Sequence, residues 1–171
     1  MELQYEGAVA WIYEDHFDVD RIIGVRNHRE SNPERLKMLF MSDFEPDMPS
    51  KVKPGDILVA GRNYGYGHAH PSSMRSVRLQ GINVVLAESF AAGYYRSNIS
   101  AGMVLLEVPE ITKFVTRGDR VHVDFANAVV KNLTKGNSLN GIKPGPVVLD
   151  LVASGGCTGF IRNELKKLPP V

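Results

Sequence analysis

Residues 53 to 87 read KPGDILVAGRNYGYGHAHPSSMRSVRLQGINVVLA, and they decide the fold. A continuous apolar run, ILVA (57–60), and a second, mostly apolar run, INVVLA (82–87), are typical of strands that are buried on both faces of a sheet. A polar segment long enough for a helix separates them. Strand, helix and strand within about 30 residues predict a βαβ unit, with parallel strands and a right-handed crossover.

The crossover segment carries its own start and stop signals. Pro71 suits the first turn of a helix, and Ser72 or Ser73 suits its cap. Gly81 suits its end. The loop just before the helix, NYGYGHAH (63–70), therefore follows the carboxyl end of a parallel strand. Open α/β sheets bind ligands at that edge, so this loop is the first candidate for a functional site.

Outside this unit, apolar runs alternate with turn signals. EGAVAWIY (6–13) and VLLEV (104–108) are predicted strands, and SFAAGYYRSNISAG (89–102) is a predicted helix. Residues 27–50 are a long excursion with one short helical pattern. The tail predicts an antiparallel or mixed β portion from three runs, GDRVHVDF, AVVKNL and PVVLDLVA. The predicted fold class is α/β, with a parallel βαβ core and additional mixed β-strands in a single domain, residues 1–171.

The amino-acid composition argues against two classes of binding partner, nucleic acid and membrane. Twenty basic and nineteen acidic residues leave a net charge of +1, without the excess of Lys and Arg that nucleic-acid binding requires. No apolar stretch approaches the roughly 18 residues of a membrane span, and the start lacks a basic segment followed by an apolar one. We therefore expect a cytoplasmic protein that binds neither nucleic acid nor membrane. The single cysteine, Cys157, is expected in a Gly-rich turn, and it excludes a multi-thiolate metal site supplied by this chain alone.

His68 and His70 stand two residues apart in the loop, and on an extended segment their side chains point the same way. Three interpretations remain open. The histidines can share a metal ion, but no H-E-x-x-H motif, cysteine pair or nearby carboxylate supplies a third ligand. They can act on a substrate as acid, base or hydrogen-bond donor near neutral pH. They can also be surface histidines of an ordinary turn.

Two further pairs of residues are candidates for a site. Asp18 and Asp20 form a candidate carboxylate pair, although polar loops routinely carry such residues. Arg26 and Arg29 follow in the excursion. They either clamp a carboxylate through their guanidinium forks or lie solvated on the surface.

Several motifs occur together in a fixed order, DVDRII (18–23), KPGDILVAGRNYGYG (53–67), GINVVLAESFA (81–91) and then Asn98. In this order and spacing the chain resembles the small subunits of the 3-isopropylmalate dehydratase and homoaconitase group. The resemblance covers most of residues 6–110 and implies an aconitase-type swivelling β/β/α domain. It also implies a hydro-lyase for a hydroxy di- or tricarboxylic acid, with a large partner subunit that holds a [4Fe–4S] cluster; this chain alone then binds no cofactor and no metal.

The sequence departs from the family at the most informative place. After Gly67 the family has Ser-Ser-Arg-Glu-His, whereas this chain has His68, Ala69 and His70. The resemblance places His68 where the family's proton-transferring serine stands, and an imidazole is a competent base. His70 then stands where an arginine holds a substrate carboxylate. It lacks the guanidinium fork, so carboxylate binding there weakens or depends on pH. Gly67 and Ala69 are expected beside the substrate as well.

The resemblance also gives roles to the charged pairs. Asp20 aligns with an active-site aspartate, and it is the second catalytic candidate beside His68. Arg29, with Arg26 as second choice, lies in the loop that selects the substrate and is expected to bind its distal carboxylate. The alternatives are a substrate-binding or regulatory module of the same fold without catalysis, and a metallohydrolase built on His68 and His70.

Overall fold

The computed structural model describes residues 3–68 and 70–167. Within these residues seven strands form one sheet, β1 (Gln4–Tyr13), β2 (Ile57–Ala60), β3 (Val84–Ala87), β4 (Val104–Glu107), β5 (Arg120–Asp124), β6 (Val129–Asn132) and β7 (Asn137–Asn140). The same part of the chain forms seven α-helices, α1 (Pro33–Leu39), α2 (Met48–Lys51), α3 (Pro71–Leu79), α4 (Ala92–Ser100), α5 (Ile111–Phe114), α6 (Pro146–Ala153) and α7 (Cys157–Leu165). Two 3₁₀ turns, Val19–Ile22 and Val25–Asn27, follow β1.

Strand β1 lies at the centre of the sheet and joins its two halves. The strand order is β4-β3-β2-β1-β5-β6-β7. On one side β1, β2, β3 and β4 pair in parallel, and on the other side β1, β5, β6 and β7 pair antiparallel. β1 pairs with β2 from Val9 to Tyr13 and with β5 from Gln4 to Ala8. The predicted combination of a parallel core with additional strands is confirmed.

The predicted βαβ unit is confirmed as well. β2 and β3 run parallel with Ile57 opposite Val84, and α3 connects them. All four residues of β2 and all four of β3 are buried. Such burial is expected for strands that are covered on both faces. The carboxyl ends of these strands meet at one edge of the sheet, and the loop with the two candidate histidines leaves from that edge.

The prediction for the tail is wrong in part. GDRVHVDF and AVVKNL contain the antiparallel strands β5 and β6, but PVVLDLVA folds as helix α6. Pro146 occupies its first turn, where the fixed φ of proline favours a helix and its missing N–H leaves no bond unmade. Cys157 is the first residue of α7 rather than part of a turn. Strand β7 and helix α7 have no counterpart in the sequence prediction.

A row of polar side chains holds the excursion against α3. Ser72, Ser76 and Gln80 are spaced four residues apart, so they share one side of the helix. Each donates a hydrogen bond of 2.6 to 2.7 Å to a backbone carbonyl in the segment 28–37. The excursion and α3 therefore position each other.

Replacing Ser76 with alanine is expected to lower the free energy of unfolding by about 1–2 kcal/mol, because a carbonyl in the interior loses its donor. Ser76 Oγ is buried and donates to the Leu36 carbonyl at 2.7 Å. Ser50→Ala is the matched control, since Ser50 Oγ donates over the same 2.7 Å to the Asp47 carbonyl at an exposed position. Its expected loss is below about 0.5 kcal/mol. Urea unfolding compares the two variants, and equal losses would contradict the role of burial.

Candidate functional site

The candidate site lies on the loop between β2 and α3. Gly65 and Gly67 adopt positive φ angles of 86° and 89°, a region that residues with a Cβ rarely enter. The N–H of Gly65 donates to the Phe17 carbonyl at 3.2 Å, which fixes the loop to the segment after β1. This path brings His68 and His70 to the start of α3.

Asp20 is the centre of a hydrogen-bond group at this point. It lies in the 3₁₀ turn Val19–Ile22 and is only 4% exposed. Its Oδ1 accepts from the His70 N–H at 2.9 Å and from Ser73 Oγ at 2.8 Å. Its Oδ2 contacts Nδ1 of the His70 ring at 2.5 Å. The fold thus brings together two candidate residues that are fifty positions apart in the chain.

The charge of Asp20 follows from these contacts. Burial raises the pKa of its carboxyl, but hydrogen bonds from the His70 N–H, the His70 ring and Ser73 outweigh that effect, and the pKa lies below its ordinary value. Asp20 is therefore ionised at neutral pH and only accepts hydrogen bonds. Nδ1 of His70 then carries the proton of this contact, and Nε2 is left for another partner. In catalytic triads a carboxylate fixes the tautomer of the histidine in this way.

The expected serine cap of α3 is not present. The residue at the N-cap is His70, and its side chain makes no capping bond. Ser72 and Ser73 lie in the first turn, where they are buried and donate to the excursion and to Asp20. The carboxylate of Asp20, which accepts the His70 N–H, takes over the role of the cap. A negative charge is stabilised at this end of a helix by the helix dipole.

A third histidine completes the group. The ring centroid of His28 lies 4.7 Å from that of His70, and the ring of His68 lies 5.0 Å from it in an edge-on orientation. The His70 side chain is 34% exposed, and His68 is exposed. His28 stands alone in the excursion, far from the loop in sequence. Only the tertiary structure shows that it belongs here.

His68 and His70 line a cleft of about 1000 Å³ between α3 and α4. Met74 and Leu79 of α3 and Tyr94 of α4 give it apolar surface. Its polar lining residues are His68, His70, Arg75, Arg78, Asn83, Ser97 and Asn98. The cleft is large enough to hold a small organic acid.

The arginines that were expected to bind a carboxylate lie outside the cleft lining. Arg26 is 72% exposed, and its Nη2 pairs with Oδ1 of Asp43 at 2.8 Å. Arg29 is exposed, and neither residue lines the cleft. Two arginines that the sequence analysis missed, Arg75 and Arg78, line it instead. Their signal in the sequence is their spacing of three residues on the predicted crossover helix, directly after the histidines.

The other candidate residues have simpler positions. Gly67 lines the cleft, and Ala69 lies outside the described residues. Asp18 caps the 3₁₀ turn, because its Oδ1 accepts the Asp20 N–H at 3.0 Å. Over residues 3–68 and 70–167, no three side chains of His, Cys, Asp or Glu are arranged to hold a metal ion. In the same part of the chain, every helix is too short or too polar to cross a membrane.

Comparisons with known proteins identify the family of this chain. The family model of the aconitase C-terminal domain matches residues 23–111, about half of the chain. The 3-isopropylmalate dehydratase small subunit of Thermodesulfovibrio yellowstonii is 35% identical over 163 residues, which cover 95% of this chain and 96% of that protein. The chain belongs to the aconitase C-terminal domain family. A further relative is the 2,3-dimethylmalate dehydratase small subunit of Eubacterium barkeri, which is 38% identical over 90% of this chain and 94% of its own length.

A solved structure shows the same fold for this aconitase-family chain. The crystal structure of 3-isopropylmalate dehydratase from Methanocaldococcus jannaschii has a TM-score of 0.85 and 26% identity, and the match covers 96% of both chains. The isopropylmalate/citramalate isomerase small subunit of the same organism is 34% identical over 91% of this chain and 93% of its own length. The predicted aconitase-type swivelling fold is confirmed, and so is the prediction that the chain is the small subunit of a heteromeric hydro-lyase.

Proposed function

We propose that this chain is a single-domain small subunit of a cytoplasmic hydro-lyase that uses the cleft between α3 and α4. With a large partner subunit it dehydrates and rehydrates a hydroxy di- or tricarboxylic acid. The observation that carries this proposal is the Asp20–His70 pair, with His68 beside it, at one cleft. The dehydratase and isomerase small subunits named above support it, because the matches extend over more than nine-tenths of their length.

His68 is the proton-transferring residue of this proposal. Dehydration removes a proton from one carbon and the hydroxyl from its neighbour, and a double bond forms between the two carbons. His68 lines the cleft and is exposed there, and imidazole exchanges protons near neutral pH. In the hydration direction the same ring returns the proton to carbon.

His70 is the residue that orients the substrate. Its Nδ1 is occupied by Asp20, so Nε2 remains for the acid. This nitrogen can form a hydrogen bond with a polar group of the substrate, for example its hydroxyl. It offers neither the permanent charge nor the two parallel donors of a guanidinium group. The charge that binds the carboxylates must therefore come from elsewhere.

A [4Fe–4S] cluster, held by the large subunit, would supply Lewis-acid chemistry for the leaving hydroxyl. The residues of this chain do not fit such a cluster. Cysteine thiolates hold iron–sulfur clusters, and the single cysteine, Cys157, begins α7 and does not line the cleft. In this proposal the chain contributes the base, the Asp20–His70 pair and part of the pocket for the acid.

Anaerobic co-expression with the candidate large subunit tests the proposal, followed by hydration and dehydration assays on hydroxy acids with two or three carboxylates. We expect turnover by the wild-type complex and a kcat about 10²-fold lower for His68→Ala. His122→Ala is the matched control, because His122 lies on β5 and does not line the cleft. We expect its turnover to be unchanged.

Two results would overturn parts of the proposal. A cluster-loaded complex that binds the acids but turns over none of them would exclude catalysis and favour the binding or regulatory module. Turnover that survives His68→Ala and is lost in His70→Ala would assign proton transfer to His70 and its Asp20 partner instead.

A further inference from the structure

The cleft is positively charged where it meets α3. Arg75 and Arg78 line it, and none of its described lining residues is Asp or Glu. Within residues 3–68 and 70–167, neither arginine takes part in an ion pair. A carboxylate that leaves water needs a charged partner, because an unpaired buried charge is costly. The two guanidinium groups supply the permanent positive charge of this lining.

The two arginines lie on the same side of α3 but at different positions along its axis. Met74, Arg75, Arg78 and Leu79 all line the cleft, and their spacing of three to four residues places them on one helix face. The α-helical rise of 1.5 Å per residue places Arg75 about 7.5 Å from His70 along the axis and Arg78 about 12 Å from it. Arg75 is thus the guanidinium that a small acid in contact with His70 reaches first.

The Arg75 side chain is already held in place. The side chain is exposed, and its Nη1 donates to the Ser31 carbonyl at 3.1 Å, which links it to the excursion. This bond uses one of the five N–H donors of the guanidinium group, and the others remain for a ligand. A side chain that is anchored before binding loses less conformational entropy when a carboxylate arrives.

The part of the cleft lining that comes from α4 and its ends has no charged group that could bind the carboxylate in place of Arg75. Ala91, Tyr94 and Ala101 bring apolar surface from α4 and its ends, and Ser97 and Asn98 add neutral polar groups. Nδ2 of Asn98 is already bound to the Tyr94 carbonyl at 2.9 Å. The positive charge of the cleft is therefore concentrated on α3.

We propose that Arg75 binds a carboxylate of the substrate through a bidentate ion pair, and so supplies the permanent charge that an imidazole does not offer. This inference rests on the proposed function, and it assigns the role expected for Arg29 and Arg26 to a residue on the crossover helix. The acid then lies along the first turns of α3, with the His70 ring at one end and the Arg75 guanidinium at the other.

Steady-state kinetics of the assembled complex test the inference with Arg75→Gln, Arg75→Lys and Arg78→Gln. KM for the acid is expected to rise about 10- to 100-fold in Arg75→Gln, the range of a lost charge-assisted hydrogen-bond pair. Arg75→Lys is expected to fall between wild type and Arg75→Gln, because lysine keeps the charge without the fork. Arg78→Gln, one turn further along α3, is expected to raise KM less than Arg75→Gln does, since its guanidinium group lies farther from His70.

A ligand pair separates binding from a merely structural role of Arg75. The wild-type complex should bind the diacid far more tightly than the analogue in which one carboxylate is an amide. Arg75→Gln should bind the two almost equally, because glutamine hydrogen-bonds an amide as well as a carboxylate. Ser72→Ala removes a neighbouring tether of the excursion, to the His28 carbonyl, without removing charge. Because the excursion also anchors Arg75, Ser72→Ala is expected to weaken this discrimination without abolishing it. If Arg75→Gln loses affinity for the diacid and for the amide analogue by the same factor, Arg75 acts only by positioning and the inference fails.

Calorimetry with an alkylsuccinate separates the inference from the proposed function. This diacid has no hydroxyl and cannot be dehydrated, so its binding reports on Arg75 even in an inactive complex. An inactive complex whose alkylsuccinate affinity falls more in Arg75→Gln than in Arg78→Gln would overturn the proposed catalysis and support the carboxylate site. An active complex in which both variants behave alike would overturn the inference alone.

Discussion

Asparagine in place of Asp20 is expected to lower the kcat of the assembled enzyme about 10³-fold and the free energy of unfolding by about 2 kcal/mol. The carboxylate accepts hydrogen bonds from the His70 N–H, the His70 ring and Ser73. An amide has one acceptor oxygen, and its NH₂ group would face Nδ1 of His70. The ring would then carry its proton on Nε2, the nitrogen that serves the substrate. Both the start of α3 and the tautomer of the ring depend on this carboxylate.

The effect of Asp20→Asn on stability has a definite pH dependence. The pKa of Asp20 lies below the ordinary 3.8 in the folded protein, so its contribution to stability is fully present above 3.8. It is lost as the pH falls through the lowered pKa of the folded state. Urea unfolding should show the largest difference between wild type and Asp20→Asn at pH 7, and a smaller one in acid.

Asp18→Asn provides the stability control for Asp20. Asp18 caps the same 3₁₀ turn through the Asp20 N–H and has no bond to His70. Asparagine is a good cap, so the expected loss is below about 1 kcal/mol. A difference between wild type and Asp20→Asn that stays constant from neutral to acid pH would contradict the ionised state of Asp20.

Alanine at position 65 is expected to destabilise the protein by about 4 kcal/mol or more and to abolish the activity of the complex. A Cβ on Gly65 would lie 2.2 Å from Cγ of Tyr94 and 2.4 Å from its Cβ. Tyr94 has little room to move, because it is only 3% exposed and packs edge-on against Tyr64 with ring centroids 5.2 Å apart. The loop must shift instead, and His68 and His70 shift with it.

Gly67→Ala separates this clash from backbone strain. Gly67 has nearly the same positive φ as Gly65, but the nearest atom to its added Cβ is Cγ of Asp18 at 3.4 Å. Only the cost of the left-handed conformation remains, about 1–2 kcal/mol. Urea unfolding of the two variants measures the difference. Equal losses would show that strain, rather than contact with Tyr94, explains the glycine at 65.

The parallel half of the fold was predictable because burial on both faces leaves continuous apolar runs such as ILVA (57–60). The antiparallel edge was not, because β7 (Asn137–Asn140) is mostly exposed and its sequence, NSLN, has a single apolar residue. Helix α6 was wrongly predicted as a β-strand, for a different reason. Its apolar run does not by itself distinguish a strand from a helix. Tertiary packing makes the difference, since α6 lies against α4 and Val152 joins the core.

The sequence indicated which loop and which residues to consider for the candidate site, but it did not indicate the contacts between them. The motif order indicated Asp20 and the two histidines, but their pairing spans fifty residues and needs the fold. Arg26 was chosen as a candidate because of the loop in which it lies, whereas in the structure its guanidinium group pairs with Asp43. Arg75 was passed over because a helix pattern does not show which face meets α4. The sequence identified the elements, and the packing of the helices decided which side chains share the cleft.

Because β1 pairs with strands from distant parts of the chain, the order of synthesis on the ribosome determines when each half of the sheet can form. Residues Gln4 to Ala8 are synthesised well before their partner, β5 (Arg120–Asp124). Until then this edge of the nascent sheet is open, and open edges invite pairing with other chains. Glu6 lies within that segment, and a charged side chain on an edge discourages such pairing. Once β5 is in place, Glu6 pairs with Arg120, so one glutamate serves both the growing chain and the finished sheet.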